Sequence, residues 1–336
     1  MLENLKTLCN LDAVSGDEGV VRDFIISQIS PFCEYKVDNL GNIIAFKKGK
    51  NTPKKRVMLD AHMDEVGLII TNITSDGFLK FHIIGGIDIA ALLQRHVLIN
   101  GEINGVISSR PVHLLSAEQK KKLPSKDSLY IDIGADTKEE AERVVSLGDT
   151  AVICGEFSLD GDNIISKALD DRAGCAVLID LIKNFDEFDF YATFSTQEEV
   201  GLRGARVATY SVNPECAIVL ESTTAADISG VEQAKKVCKL GFGPAVSFMD
   251  RSTLYDKAFY NAALNSGITC QPKSLVAGGN NSGAVHLSRE GVRTIAVSLP
   301  TRYLHTSSTV ANISDLKNMR FLAEYMLKGI ASGEIE

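Results

Sequence analysis

The chain lacks any pair of cysteines at metal-binding or redox spacing. Its seven cysteines, Cys9, Cys33, Cys154, Cys175, Cys216, Cys238 and Cys270, are odd in number and far apart, with no Cys-x-x-Cys among them. Several stand in apolar stretches, as Cys175 and Cys216 do. They read as reduced core thiols, which argues against zinc–thiolate sites and points to a reducing compartment, the cytoplasm. No apolar run approaches the roughly 18 residues of a membrane span. The start Met1-Leu2-Glu3-Asn4-Leu5-Lys6 lacks the basic and apolar pattern of a signal peptide. A concentrated basic face is missing as well: the formal net charge is −8, and lysines and arginines are scattered. The one cluster, Lys120, Lys121, Lys122 and Lys126, lies beside Pro124 and acidic neighbours and reads as a solvated helix end and loop. Neither nucleic acid nor membrane is expected as a partner. There is no Gly-x-Ser-x-Gly elbow, and Gly241-Phe242-Gly243 lacks the third glycine of a dinucleotide loop, so serine-hydrolase and nucleotide-binding readings have no support. Internal repeats and low-complexity tracts are absent.

What is present suits a folded soluble protein. The 336 residues, 45% apolar and 23% charged, suffice for one large core or a core with a second, smaller domain. Ser15-Gly16-Asp17-Glu18 has capping-box spacing, and Val21, Phe24, Ile25 and Ile29 follow at helical intervals, predicting a helix that ends before Pro31. Extended segments are expected near 42–46 and 56–60, the second opening onto Ala61-His62-Met63-Asp64-Glu65. After about Val66 the texture turns to short β-like stretches with Asp76-Gly77, Asn100-Gly101 and Asn104-Gly105 as hairpin-turn dipeptides. Helices are then expected near 171–184, 253–265 and 314–331, and strands near 189–195, 217–221 and 294–299. The expected fold class is α/β: a mixed-sheet domain with helices on both faces, formed by 1–67 and 161–336. A small β-barrel-like domain, 68–160, is inserted into it.

Ionisable residues concentrate in five short stretches of otherwise apolar sequence. These are Leu59 to Glu65, Ala168-Leu169-Asp170-Asp171-Arg172, Thr196-Gln197-Glu198-Glu199-Val200-Gly201, Ile218-Val219-Leu220-Glu221 and Arg302-Tyr303-Leu304-His305. In four of the five the charge sits at the end of an apolar strand-like run. Burying isolated carboxylates costs several kcal/mol or more without a compensating cation. Imidazole with carboxylate and no thiolate suits zinc, cobalt or manganese, and two such ions sharing a bridging carboxylate would make a hydrolytic centre. His62-x-Asp64 has the spacing for a carboxylate to orient a ligating imidazole. Of the adjacent Glu198 and Glu199, one can hold metal while the other takes a proton from water. Each stretch also has a plainer explanation: Asp170 could only cap a helix, and Glu198-Glu199 could be an exposed turn. The remaining histidines, His82, His96, His113 and His286, are read as structural.

The ordered set His62-Met63-Asp64-Glu65-Val66-Gly67, Lys167 to Arg172, Glu198-Glu199-Val200-Gly201 and Pro300 to His305 resembles the glutamyl-aminopeptidase/FrvX family, some of whose members carry an endoglucanase label. The resemblance runs through the middle of the chain as well, with Ile84-Gly85-Gly86, Gly105-Val106-Ile107, Pro111-Val112-His113 and Asp132-Ile133-Gly134 in the family's order. It implies a cytoplasmic metallo-aminopeptidase acting on short peptides, with Asp170 bridging two divalent ions, zinc or cobalt or else manganese. His62 and Glu221 would complete one metal site, Glu199 and His305 the other. Glu198 would be the general base, and Asp64 would support His62. The resemblance also implies dimers assembling into a dodecamer through the inserted domain. Glu221 stands where many members have aspartate. Gly278-Gly279-Asn280-Asn281-Ser282-Gly283 replaces the usual Gly-Gly-Thr-Asp-Ala-Gly, which leaves the preferred N-terminal residue open. The competing readings are a related di-metal deacylase or carboxypeptidase, a glycosidase, and a non-catalytic assembly protein that keeps the fold.

Overall fold

Alternation along one short strand organises the molecule. The computed structural model describes residues 1–336. In the strand Val57–His62, Val57, Leu59 and Ala61 enter one apolar core, while Met58 joins a second core on the opposite face. The two-residue period of a strand then puts Asp60 and His62 on the face of Met58. All six residues are buried, as a central strand requires. It pairs in parallel with Phe190–Ser195 on one side and Cys216–Thr224 on the other. Cys216–Thr224 is in turn parallel to Arg293–Thr301.

These four strands form the middle of an eight-stranded mixed sheet. Its order is Glu34–Val37, Ile43–Lys47, Phe190–Ser195, Val57–His62, Cys216–Thr224, Arg293–Thr301, Ala245–Val246 and Gln271–Pro272. The largely buried helix Leu169–Asn184 packs on one face with Leu2–Asn10, Gly19–Ile29 and Ile313–Ser332. Arg203–Val212 and the short Ser282–Val285 cover the other face. Between the first and second halves of this layer, six strands close a barrel with its own apolar core. They run in the order Gly67–Ile73, Leu79–Ile84, Tyr130–Asp132, Ile103–Ser108, His96–Ile99 and Thr150–Ile153. No helix is long and apolar enough to cross a membrane.

Most expected elements lie within a few residues of their predicted bounds, and the departures have local causes. The expected helix near 253–265 begins only at Lys257, because the Asp256 carboxylate caps it by accepting from the backbone N–H groups of Ala258 and Phe259. Ser15 and Glu18 do not form a capping box. The Ser15 hydroxyl donates to Asp64 at 2.6 Å, and Glu18 accepts from the backbone of Gly16 and Gln197; a bond to a buried carboxylate outweighs a helix cap. The expected Asn104-Gly105 turn lies inside the strand Ile103–Ser108. Asn104 pairs with Leu98 in the ladder and its side-chain oxygen reaches His96 Nε2 diagonally (2.8 Å), and a Cβ on Gly105 would meet Ile131 Cγ2 at 2.5 Å. That glycine is there for close packing within the barrel. The helix Arg203–Val212 was not anticipated: its buried face is Gly204, Ala205, Ala208, Thr209 and Val212, too small to register as an apolar stripe.

Candidate active site

The polar face of the central sheet converges on the carboxyl ends of its parallel strands. Register sets Asp60 beside Thr193 and His62 beside Ser195, and Val219 beside Asp60, so that Glu221 lies further along the same face. His62 ends its strand with Nε2 at 3.4 Å from Asp170 Oδ1 and 3.7 Å from Glu221 Oε2. His305, on the loop after Arg293–Thr301, places Nε2 at 3.5 Å from Asp170 Oδ2 and 3.1 Å from Glu199 Oε1. Two triads result, His62–Asp170–Glu221 and Asp170–Glu199–His305, each with its candidate ligand atoms within 4.8 Å of one another. The structure therefore brings together all five residues proposed as metal ligands, with Asp170 common to both groups.

Both imidazoles are held in the orientation a metal needs. His62 Nδ1 lies 3.0 Å from the Asp64 carbonyl and His305 Nδ1 lies 2.7 Å from the Gly86 carbonyl. A carbonyl can only accept, so each Nδ1 donates outward and each Nε2 is the nitrogen turned to the centre, able to bind a cation once its own proton is displaced. The Asp64 side chain is a second contact, 3.4 Å from His62 Nδ1, so the orientation expected from the carboxylate comes chiefly from its own backbone. The carboxylate has another task that the sequence did not reveal. Its oxygens accept from the backbone N–H groups of Glu198 (2.9 Å) and Glu199 (3.1 Å), pinning the turn that carries both glutamates. Ala168, Gln197, Tyr303 and His305 all hold left-handed φ values between 54° and 61°, each costing on the order of 1–3 kcal/mol at such a site.

The electrostatics show why cations fit here. Burial pushes the Glu198 carboxyl up to about 8, with Glu199, Asp170 and Asp64 adding repulsion against the pull of His62. Burial raises Glu221 well above the usual carboxylate range, with the charges of Asp171, Glu198 and Asp170 reinforcing it. Glu199 is raised by burial despite its bond to His305. Burial alone would depress His305, yet Asp170 and Glu199 hold it up at about 11. Asp170 is the exception: burial raises it, but the two imidazoles more than reverse that and keep it ionised. The cluster thus retains protons that divalent cations would replace. Asp170 Oδ1 is also buried without a hydrogen-bond donor, an orphan acceptor of the kind that a metal ligand supplies. Carboxylate and imidazole in this number suit zinc, cobalt or manganese.

Further buried groups frame the centre. Asp60, fully buried, accepts from the Thr193, Ser195 and Asn281 side chains at 2.5, 2.7 and 2.8 Å. The Asn281 backbone N–H reaches Glu221 at 3.3 Å. Glu65 binds Lys167 at 2.6 Å and Arg172 at 3.3 Å, tying the Asp170 loop to the strand end. Sheet register and long-range packing create these contacts, and only the unusual polarity of Asp60 inside an apolar run signals any of them. A cavity of about 370 Å³ opens onto Asp170, Glu198, Glu199, Glu221 and His305.

Comparison with known proteins gives a consistent result. The family model described as M42 glutamyl aminopeptidase matches residues 41–322. The lysyl aminopeptidase of Pyrococcus furiosus is 33% identical over 343 residues, 97% of this chain and 96% of that protein. A TET aminopeptidase from the marine sediment archaeon Thaumarchaeota archaeon SCGC AB-539-E09 superimposes with a TM-score of 0.95 at 31% identity, covering 99% of this chain and 97% of its own. The TET1 peptidase of Pyrococcus horikoshii, which can assemble into a tetrahedron or a large octahedral shell, gives a TM-score of 0.84 at 34% identity, covering 97% and 98%.

Proposed function

The chain belongs to the M42 glutamyl aminopeptidase family and is a peptide hydrolase, and from that premise we propose that it removes N-terminal residues from short peptides with the help of two divalent cations. The observation that carries the reading is Asp170, which turns Oδ1 toward His62 and Oδ2 toward His305 and so serves two ligand triads at once. His62 and Glu221 would complete one metal site, and Glu199 and His305 the other. When bound, such a pair of cations supplies Lewis acidity, polarising the scissile carbonyl and acidifying the attacking water.

The protein's own groups do the rest. Glu198 faces the same cavity without belonging to either triad. From that position, raised by burial and by its acidic neighbours, its carboxylate would take the proton from water and return it to the leaving amine nitrogen. Asp64 acts through its neighbours, fixing the His62 ring and the Glu198–Glu199 turn. Residues 68–160 form a barrel module serving assembly and substrate access, and the protein is a cytoplasmic homo-oligomer of dimers, a dodecamer. The tetrahedral assembly of the horikoshii peptidase and the seven unpaired cysteines support these points.

The test is metal content per chain measured alongside turnover. Protein stripped with a chelator and reloaded with zinc, cobalt or manganese should bind about two ions per chain and release amines from aminoacyl anilides. It should leave acylated amino acids and blocked peptides intact. Cleavage of the acylated substrates instead would make it a deacylase, and full activity after complete stripping would remove the metals from the reaction.

A further inference from the structure

The stretch Gly278 to Gly283 contributes no residue to either ligand triad, yet one of its backbone groups reaches a proposed ligand. Glu221 is buried and turns Oε2 toward His62 Nε2 at 3.7 Å. Its other oxygen, Oε1, accepts from the Asn281 backbone N–H at 3.3 Å. Glutamate is a long, flexible side chain whose ordering costs entropy. A bond to one oxygen selects one orientation in advance and leaves the other oxygen for a cation.

The Asn281 side chain explains why that N–H stands where it does. Asn281 is fully buried; its Nδ2 donates to Asp60 Oδ2 at 2.8 Å and to Ser195 Oγ at 3.1 Å. Its Oδ1 meets no donor, so the nitrogen alone ties this loop to the strands Val57–His62 and Phe190–Ser195. Asp60 is itself held on Oδ1 by the Thr193 and Ser195 hydroxyls, which leaves Oδ2 for the amide. Asn280 is fixed separately, accepting from the Ser282 N–H at 2.8 Å and donating to the Tyr255 hydroxyl at 3.1 Å. An oxygen in place of Asn281 Nδ2 would bring two buried carboxyl groups face to face, a costly arrangement. Asn281 does not line the cavity, so any influence on the chemistry passes through its neighbours.

Resting on the two-cation reading, we infer that Asn281 is a positioning residue for Glu221: its side-chain amide, bonded to Asp60, holds the loop so that its backbone N–H keeps Glu221 in a ligating orientation. Positions 60 and 281 work together as one carboxylate and one amide. The cation at His62, Asp170 and Glu221 depends on that pair. The triad of Asp170, Glu199 and His305 makes no contact with Asn281.

The experiment measures zinc affinity of the metal-stripped full chain by competition against a chromophoric chelator, with thermal melts of the metal-free proteins alongside. Wild type should bind about two ions per chain. Asn281→Ala and Asn281→Asp should each bind one of them about 10- to 100-fold more weakly, the scale of an outer partner, with the aspartate worse. Exchanging the pair, Asp60→Asn with Asn281→Asp, should recover most of that loss, because an amide again faces a carboxylate. In a Glu221→Ala background there is no carboxylate left to orient, so adding Asn281→Ala should weaken zinc no further. In a Glu199→Ala background it should cost as much as in the wild type. Should Asn281→Asp fail to fold, Asn281→Ala in the two backgrounds decides the matter. Wild-type affinity in Asn281→Ala, or an equal loss in both backgrounds, overturns the inference and leaves the two-cation reading standing. So does a loss of affinity that only follows a lowered metal-free melting point. Wild-type protein that binds no zinc overturns both.

Discussion

Replacing Asp64 with asparagine changes one oxygen to an amide nitrogen at a point where four donors meet. Oδ1 accepts from the Glu198 N–H, and Oδ2 from the Ser15 hydroxyl and the Glu199 N–H, while His62 Nδ1 lies 3.4 Å away. With the amide nitrogen in the Oδ2 position, Ser15 can rotate and accept, but the Glu199 N–H faces a donor. One buried N–H is left unpaired, at a cost of about 1–3 kcal/mol. The negative charge that steadies the His62 ring is lost as well. Outer partners of this kind are worth about 10- to 100-fold in metal affinity, so Asp64→Asn should bind zinc or cobalt more weakly by that factor, and turnover at limiting metal should fall in proportion. The assay is competition for metal against a chromophoric chelator, with the unfolding midpoint of the metal-free protein as a control. If affinity matches the wild type while the metal-free midpoint drops, Asp64 is only a fold residue and the argument is wrong.

Three further outcomes follow from other contacts. Glu198→Gln should keep its metals and lose at least about 10²-fold in kcat, the scale of acid–base catalysis; near-normal turnover would remove Glu198 as the base. Gly105→Ala puts a Cβ 2.5 Å from Ile131 Cγ2 in the barrel core, and overpacking of this sort costs about 1–3 kcal/mol. Urea denaturation should show that loss, with kcat of the folded fraction unchanged. Burial raises the Asp256 carboxyl, but its bonds to Arg293 (2.6 Å) and to the Phe259 and Ala258 N–H groups more than reverse this, leaving it below its usual 3.8. A depressed folded value means the stabilisation is complete above the unfolded carboxyl's range and is lost as pH falls below 3.8 through the folded value. Metal-free wild type should therefore lose stability more steeply than Asp256→Asn between about pH 5 and pH 3, read by thermal melts across that range; parallel curves would count against the ion pair.

Much of the architecture was legible because buried parallel strands write themselves as short apolar runs ending in polar residues. Val57–His62, Cys216–Thr224 and Arg293–Thr301 all follow that pattern, and the ligand candidates sit at or just past their ends. The missing parts depend on partners distant in sequence. Asn281 gains meaning only when the fold has brought the Ser195 hydroxyl and the Asp60 carboxylate together beneath it. Asn104-Gly105 misled for the opposite reason: a strong local turn signal yielded to strand pairing and to the need for a residue without a side chain against Ile131.

The carbonyl that orients His305 belongs to Gly86, just beyond the barrel strand Leu79–Ile84, while His305 itself hangs from the central sheet. One imidazole is therefore clamped across the seam between two separately cored halves of the molecule. Any rocking of the barrel relative to the sheet would release that ring to spin, so the affinity of the proposed His305 site for an ion would report mechanically on how firmly the two halves are seated. A protein reduced to its sheet half would retain every proposed ligand and still lose the lock on one of them.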